Sequence, residues 1–253
     1  MFTSADAYDR FVGRYGATLA QAQIEAAGVG PTDTVLDVGA GTGSLTATLA
    51  DMVGADRVAA VEPSESFATA CAERVPGADV RVGSAETLPD FGRPFDVVLS
   101  QLVVNFMTDA VAGVRAMRAV TRAGGTVASC VWDYAGEMTL LRAFWDAALE
   151  LDPQAPDEAR TMSYCTRSEL SGLWRAAGCS EVRTDALYAT ADYLDFDDLW
   201  APIPAGIGPA GAFCATLAPD QRETLRAAVW RRLGSPQGPF TLRARAWFVR
   251  GTA

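Results

Sequence analysis

Histidine is absent from this chain of 253 residues. That removes the commonest general base and the commonest transition-metal ligand, and with them hydrolysis by a Ser-His-Asp or Cys-His arrangement. Cysteine is sparse and unpatterned. Cys71, Cys130, Cys165, Cys179 and Cys214 stand singly, with no C-x-x-C spacing. That is the distribution of reduced intracellular thiols rather than of a disulfide framework or a zinc site. Positive charge is in deficit: 21 basic against 31 acidic side chains give a formal charge of −10 and a sequence pI near 4.5. A general binder of nucleic-acid phosphates is thereby excluded. No apolar run approaches the roughly 18–20 residues that span a bilayer, and no basic-plus-apolar leader opens the chain. There is no internal repeat, low-complexity tract or linker. These absences predict a cytoplasmic protein with neither a membrane nor a nucleic acid as partner. What remains is 49% hydrophobic and 9% aromatic, enough for one large domain, or one core with an embedded cap.

The rest is organised around Val35–Leu45. Val35 to Val38 read as a short buried strand with Asp37 near its carboxyl end. Gly39, Gly41 and Gly43 follow, and then Leu45, Thr46, Leu49 and Met52 recur at helical spacing. Strand, glycine turn and helix in that order let backbone approach a ligand closely, at the sheet edge where open α/β folds bind. The loop is neither a phosphate loop, since it lacks lysine, nor a dinucleotide fingerprint, since Ser44 stands at the last glycine.

Further strands follow at Arg57–Glu62, Asp79–Val82, Phe95–Gln101 and Thr126–Trp132. Glu62 ends the second about twenty residues beyond the turn, where doubly wound folds place a ribose-binding acid. Pro63 and Ser64 then turn into a helix. Thr108 and Asp109 cap a helix with apolar Val111, Val114, Met117 and Val120, and Gly124-Gly125 ends it. Helical spacing recurs over Leu140–Leu149 and Leu170–Ala177. Glu181–Thr184 begins a sixth strand, and Phe240–Val249 alternates as a last, antiparallel edge strand. Between these two lies a helical insert, about 195–235, carrying Leu199, Trp200, Pro202, Pro204, Phe213 and Leu225. At the N-terminal end Ala5–Gly28 reads as a helix broken around Gly13 and Gly16. The predicted class is α/β: a doubly wound, Rossmann-like, seven-stranded, mostly parallel sheet with an antiparallel last strand.

The run hydrophobic-Asp37-x-Gly39-x-Gly41-x-Gly43 resembles the first motif of class I S-adenosylmethionine-dependent methyltransferases. The resemblance implies that Gly39, Ala40, Gly41 and Gly43 lie against the methionine and ribose of that cofactor, with Asp37 positioning the ammonium. Glu62, followed by Pro63 and Ser64, matches the second motif and would serve the ribose hydroxyls. Ser84, Ala85 and Glu86 would meet the adenine edge, where many members carry Asp in place of Ser84. Gln101 would sit near the methionine.

Tyr8, Phe11, Arg14 and Tyr15 resemble the N-terminal helical lid of quinone-methylating relatives. Such a lid closes over cofactor or acceptor; an amphipathic helix packed on the sheet would carry the same pattern. Asn105, Phe106, Trp132, Tyr134 and Trp200 are the acceptor-pocket candidates. The [DNS]-P-P-[YFW] turn of enzymes that methylate bases or glutamine amides is missing after Gln101.

No residue is distinguished as a base among Asp133, Tyr134, Glu137 and Tyr164. No metal is expected either, since Trp132-Asp133-Tyr134 lacks the acid pair and amide of the catechol type. The expectation is one methyltransferase domain over 1–253, with a lid at 1–30, a cofactor core at 31–134 and an acceptor-side half at 135–253. It would be a monomer or homodimer that methylates a small-molecule acceptor and releases S-adenosylhomocysteine. The rivals are a protein that uses the bound sulfonium for cyclisation or rearrangement, an NAD-type oxidoreductase, and a binding module with a degenerate site.

Overall fold

The structure is a computed structural model that describes residues 9–253; Tyr8 lies outside the described residues. The chain divides into two compact units. The core unit holds residues 16–132, 163–187 and 246–253, and the second unit holds the described residues up to Tyr15 with 133–162 and 188–245.

A 3-10 turn at Val12–Tyr15 belongs to the second unit, and the core unit opens with α1 (Gly16–Ala27), so the predicted break falls at Gly16. Strand and helix then alternate: β1 (Val35–Val38), α2 (Ser44–Val53), β2 (Val58–Glu62), α3 (Glu65–Arg74), β3 (Asp79–Val82), β4 (Phe95–Gln101), α4 (Ala110–Ala119) and β5 (Thr121–Trp132). Every residue of β1 and β2 is buried, which is why both read as unbroken apolar runs instead of alternating ones. The later elements are α5 (Thr139–Leu151), α6 (Glu158–Thr161), α7 (Arg167–Ala176), β6 (Ser180–Tyr193), α8 (Phe196–Trp200), α9 (Gly208–Thr216), α10 (Pro219–Arg232) and β7 (Phe240–Thr252). The seven strands form one sheet in the order β3-β2-β1-β4-β5-β7-β6. Strands β1 to β5 pair in parallel and β7 runs antiparallel to β5, from Thr126↔Thr252 to Trp132↔Ala246. This is the predicted class.

Three sequence expectations are corrected. First, β7 is not the edge strand: β6 lies outside it. From Leu187 to Tyr193 the β6 residues alternate buried and exposed, as an edge strand with one solvated face does. Second, Gly124-Gly125 does not end a helix but lies inside β5. The register jumps there, from Phe95↔Thr121 to Val97↔Thr126. Gly124 takes φ +74°, and a Cβ on Gly125 would lie 2.6 Å from the Asp96 carbonyl oxygen, so the pair forms a bulge against β4. Third, β2 begins at Val58 because a 3-10 turn, Ala55–Arg57, takes up Arg57.

The second unit has its own apolar centre. Phe144 and Trp145 of α5 pack edge-on to each other at 5.1 Å, and both meet Phe213 of α9, at 6.4 and 5.7 Å. Leu225 and Val229 of α10 are fully buried. Among the described residues, no helix is long and apolar enough to cross a membrane.

Candidate cofactor site

The carboxyl ends of β1 to β4 converge because the strands are parallel and nearly in register: Val38 faces Val61, and Glu62 faces Val82. The Val61 carbonyl accepts from both Gly39 N–H (2.7 Å) and Ala40 N–H (3.1 Å), and the Glu62 carbonyl accepts from Gly83 N–H (3.2 Å). The glycines are required for two different reasons. A Cβ on Gly39 would fall 2.5 Å from Val103 beyond β4, and one on Gly43 would fall 2.9 Å from the Cys71 sulfur; both residues have positive φ. Gly41 is also left-handed, at φ +56°, but no atom lies within 4 Å of where its Cβ would be. The turn is packed on two sides and open on the third.

Two carboxylates flank that opening. Glu62 is 7% exposed; its Oε2 accepts from Gly41 N–H and its Oε1 from Ser64 N–H, each at 2.9 Å. Burial raises its pKa, and the two backbone donors oppose the rise. Asp37 is 1% exposed. Its Oδ2 accepts from Thr46 Oγ1 at 2.7 Å, and its Oδ1 is buried with no hydrogen-bond partner among the described residues. Burial pushes Asp37 up to about 7; the Thr46 hydrogen bond counters this and the Glu62 charge adds to it. An unpaired buried carboxylate oxygen is costly unless a ligand completes it.

The other predicted cofactor residues sit on the same edge. Ser84 Oγ lies 3.0 Å from Thr87 Oγ1. Ala85 is buried, and Glu86 Oε1 accepts from the N–H groups of Thr108 (3.0 Å) and Asp109 (3.4 Å), which ties this turn to the start of α4. Gln101 Nε2 donates to the Gly16 carbonyl at 3.4 Å, while its Oε1 is a second buried oxygen without a partner among the described residues. The next residue, Leu102, has φ +63°, a strained conformation at the strand end. Asn105 and half-exposed Phe106 lie on a 3-10 turn, Val104–Phe106, and Trp132 is buried at the end of β5.

The remaining calls belong to the second unit, apart from Tyr164, which lies in the core unit. Tyr15 is fully buried, and its hydroxyl accepts from Tyr193 at 3.4 Å. Arg14 is bidentate to Asp198, at 2.9 and 2.5 Å, with its guanidinium 5.0 Å from the Tyr193 ring centre. Phe11 and Tyr134 are buried, and Trp200 stacks on Phe196. Of the four base candidates, Asp133 is held by Arg245 (Nη2 to Oδ2, 2.6 Å), and Glu137 pairs with the same arginine. Thr46 was legible only as a packing position. The signal that could have marked it is a hydroxyl on the buried face of α2, three residues past the last glycine.

A doubly wound sheet in this order, with a left-handed glycine turn after β1 and acids ending β1 and β2, defines the class I methyltransferase fold. Residues 35–125 match the family model described as a methyltransferase domain. An uncharacterized methyltransferase of Schizosaccharomyces pombe is 32% identical over 107 residues, a match that spans 38% of each protein. Two solved structures share the fold over nearly the whole chain. A protein described as a methyltransferase from an antibiotic biosynthesis pathway of Anabaena variabilis has TM-score 0.60 at 19% identity, covering 94% of this chain and 100% of that one. An S-adenosylmethionine-dependent methyltransferase of Thermotoga maritima has TM-score 0.52 at 19% identity, covering 98% of both. Residues 35–125 thus resemble a methyltransferase domain, and over the rest of the chain the likeness to these structures is one of fold.

Proposed function

We propose that the whole chain transfers a methyl group from S-adenosylmethionine to a small organic acceptor, without a metal. The observation that carries this reading is Asp37 Oδ1, a buried acceptor with no hydrogen-bond partner among the described residues, beside a glycine turn that is open at Gly41. A cationic ammonium completes that oxygen. Glu62 is already fixed by two backbone donors, and each of its oxygens retains a lone pair for a ribose hydroxyl. The proposed cofactor set is Tyr15, Asp37, Gly39, Ala40, Gly41, Gly43, Glu62, Pro63, Ser64, Ser84, Ala85, Glu86 and Gln101. Bound S-adenosylmethionine supplies an activated methyl group on a sulfonium leaving group, so the protein's task is alignment and exclusion of water.

Metal independence is supported by Asp133 and Glu137, the acids after β5, both of which are taken up by Arg245. A base drawn from that pair is disfavoured on the same ground. We assign acceptor contacts to Phe11, Arg14, Asn105, Phe106, Trp132, Tyr134 and Trp200, with Tyr8 beyond the described residues, and we place the protein in the cytoplasm as a monomer or homodimer.

Calorimetric titration with S-adenosylmethionine tests the cofactor; absence of heat alongside binding of NAD would overturn the reading. Incubation with labelled cofactor and a panel of phenols, amines and quinols tests the reaction. Accumulation of S-adenosylhomocysteine with a methylated product is expected, whereas conversion of an acceptor with the cofactor intact would favour cyclisation or rearrangement.

A further inference from the structure

A relay of buried groups runs beneath the glycine turn of the core unit. The Cys71 thiol of α3 lies 3.6 Å from Thr46 Oγ1, which in turn donates to Asp37 Oδ2 at 2.7 Å. Thr46 and Cys71 are fully buried. A hydroxyl has one proton to donate, and Thr46 commits it to Oδ2. Thr46 thus occupies Oδ2 of the ionised carboxylate and leaves Oδ1 buried, with no hydrogen-bond partner among the described residues.

The charged and titratable groups around this carboxyl are Glu62 from β2 and Cys71 from α3, with Arg74 of α3 acting on Cys71. Glu62 disfavours a second negative charge. Cys71, pushed up to about 11 chiefly by burial, is neutral at physiological pH. Burial raises Asp37 to about 7, so both its protonated and its ionised forms are populated around neutral pH.

Resting on the S-adenosylmethionine reading above, we propose that Asp37 gives up its carboxyl proton when the site takes the cofactor's ammonium, and that Thr46 is the positioning residue that holds Oδ2 and leaves Oδ1 for the ammonium. The carboxyl O–H bond breaks, its electron pair stays on the carboxylate, the proton passes to buffer, and an ammonium N–H donates to Oδ1. Cofactor uptake is thereby linked to proton release.

Calorimetry of S-adenosylmethionine binding to the full chain, in phosphate and in Tris at matched pH, reads the linkage directly, because the two buffers differ in ionisation enthalpy. Proton release is expected near neutral pH, increasing toward at most one proton per cofactor as the pH is lowered to about 6, where the cofactor's amine is already fully protonated. S-adenosylhomocysteine, which keeps the ammonium, should release the same number. Thr46→Val preserves volume and removes the donor. It should weaken binding at pH 7 about tenfold and move the midpoint of proton release upward by about one pH unit, and Thr46→Ser should restore both. A purely structural Thr46 would lower the melting temperature without moving that midpoint. Binding by the wild type with no buffer-dependent heat overturns the proposal, even where Thr46→Val fails to fold, and so does a Thr46→Val profile that coincides with the wild type. Failure of the wild type to bind at all would instead overturn the methyltransferase reading.

Discussion

Asp37→Asn in the absence of cofactor should make the protein less sensitive to pH, and the size of the effect follows from burial. The folded-state pKa of Asp37 is raised from an ordinary 3.8 to about 7. For a raised acid the sign is fixed. Below pH 3.8 the carboxyl is protonated in both states and folding carries no penalty. Between 3.8 and 7 the unfolded chain ionises first, so the native state loses stability as pH rises, and above 7 the loss levels off. At 1.36 kcal/mol per pH unit the full loss is roughly 4 kcal/mol.

Asparagine keeps an oxygen for Thr46 and removes the charge. Its amide places an N–H group where Oδ1 has no partner, a constant penalty of roughly 1–3 kcal/mol. The two stability curves should therefore cross: the wild type is the more stable at pH 4, and Asp37→Asn at least equals it by pH 8. Urea unfolding from pH 4 to 8 measures this. Glu158 of the second unit, pushed up to about 7 by burial, loses stability in the same window, but it is common to both proteins and leaves the difference unaffected. A difference between the two proteins that stays constant within about 0.5 kcal/mol across that range would refute the reasoning, which attributes the shift to this one carboxyl.

Three further outcomes are expected. Gly43→Ala should destabilise by about 3 kcal/mol, since a methyl at φ +88° meets both the Cys71 sulfur and its Cα; Gly41→Ala should cost only about 1 kcal/mol yet weaken S-adenosylmethionine at least tenfold, and thermal melts beside calorimetry would expose any reversal of that order. Glu62→Gln leaves one acceptor for two backbone donors, so stability should fall by about 1–2 kcal/mol and cofactor affinity at least tenfold, as measured by the same pair of methods. Asp133→Asn should lower stability by about 2–3 kcal/mol by loosening Arg245 while kcat changes less than tenfold; a thousandfold loss of kcat in a protein that melts normally would make Asp133 the base after all.

The glycine turn and the acids beside it were legible because backbone geometry dictates them. Gly39 and Gly43 cannot carry a side chain, whatever the ligand, and every residue of β1 and β2 is buried, so both strands are apolar except for Asp37 near the end of β1 and Glu62 at the end of β2. The errors fell where sequence pattern is degenerate. Gly124-Gly125 is as consistent with a helix end as with a bulge. What decides between them is the approach of the Asp96 carbonyl from β4, a contact distant in sequence. The alternation of β7 predicts a strand with two unlike faces but not its neighbour, and only the return of β6 outside it removes the edge. Thr46 was passed over because a threonine on a buried helix face packs like a valine; its role appears only once Asp37 Oδ2 stands 2.7 Å away.

The acceptor side resists the same reading for a related physical reason. A site made of backbone at strand ends leaves glycines and lone acids in the sequence, whereas a wall for an apolar acceptor is made of the residues that also make a core. Phe144, Trp145 and Phe213 recur at helical spacing and turn out to pack on one another, a pattern that gives no sign of a ligand. Arg14 shows the converse: an arginine in a segment resembling a lid invites a substrate role, yet its guanidinium is bidentate to Asp198 and lies over Tyr193. Such a fork is already satisfied, so an acceptor carboxylate would have to displace Asp198 to reach it. Arg14 therefore gives no ground for expecting an anionic acceptor, and an acceptor panel for the proposed reaction should include neutral phenols and quinols.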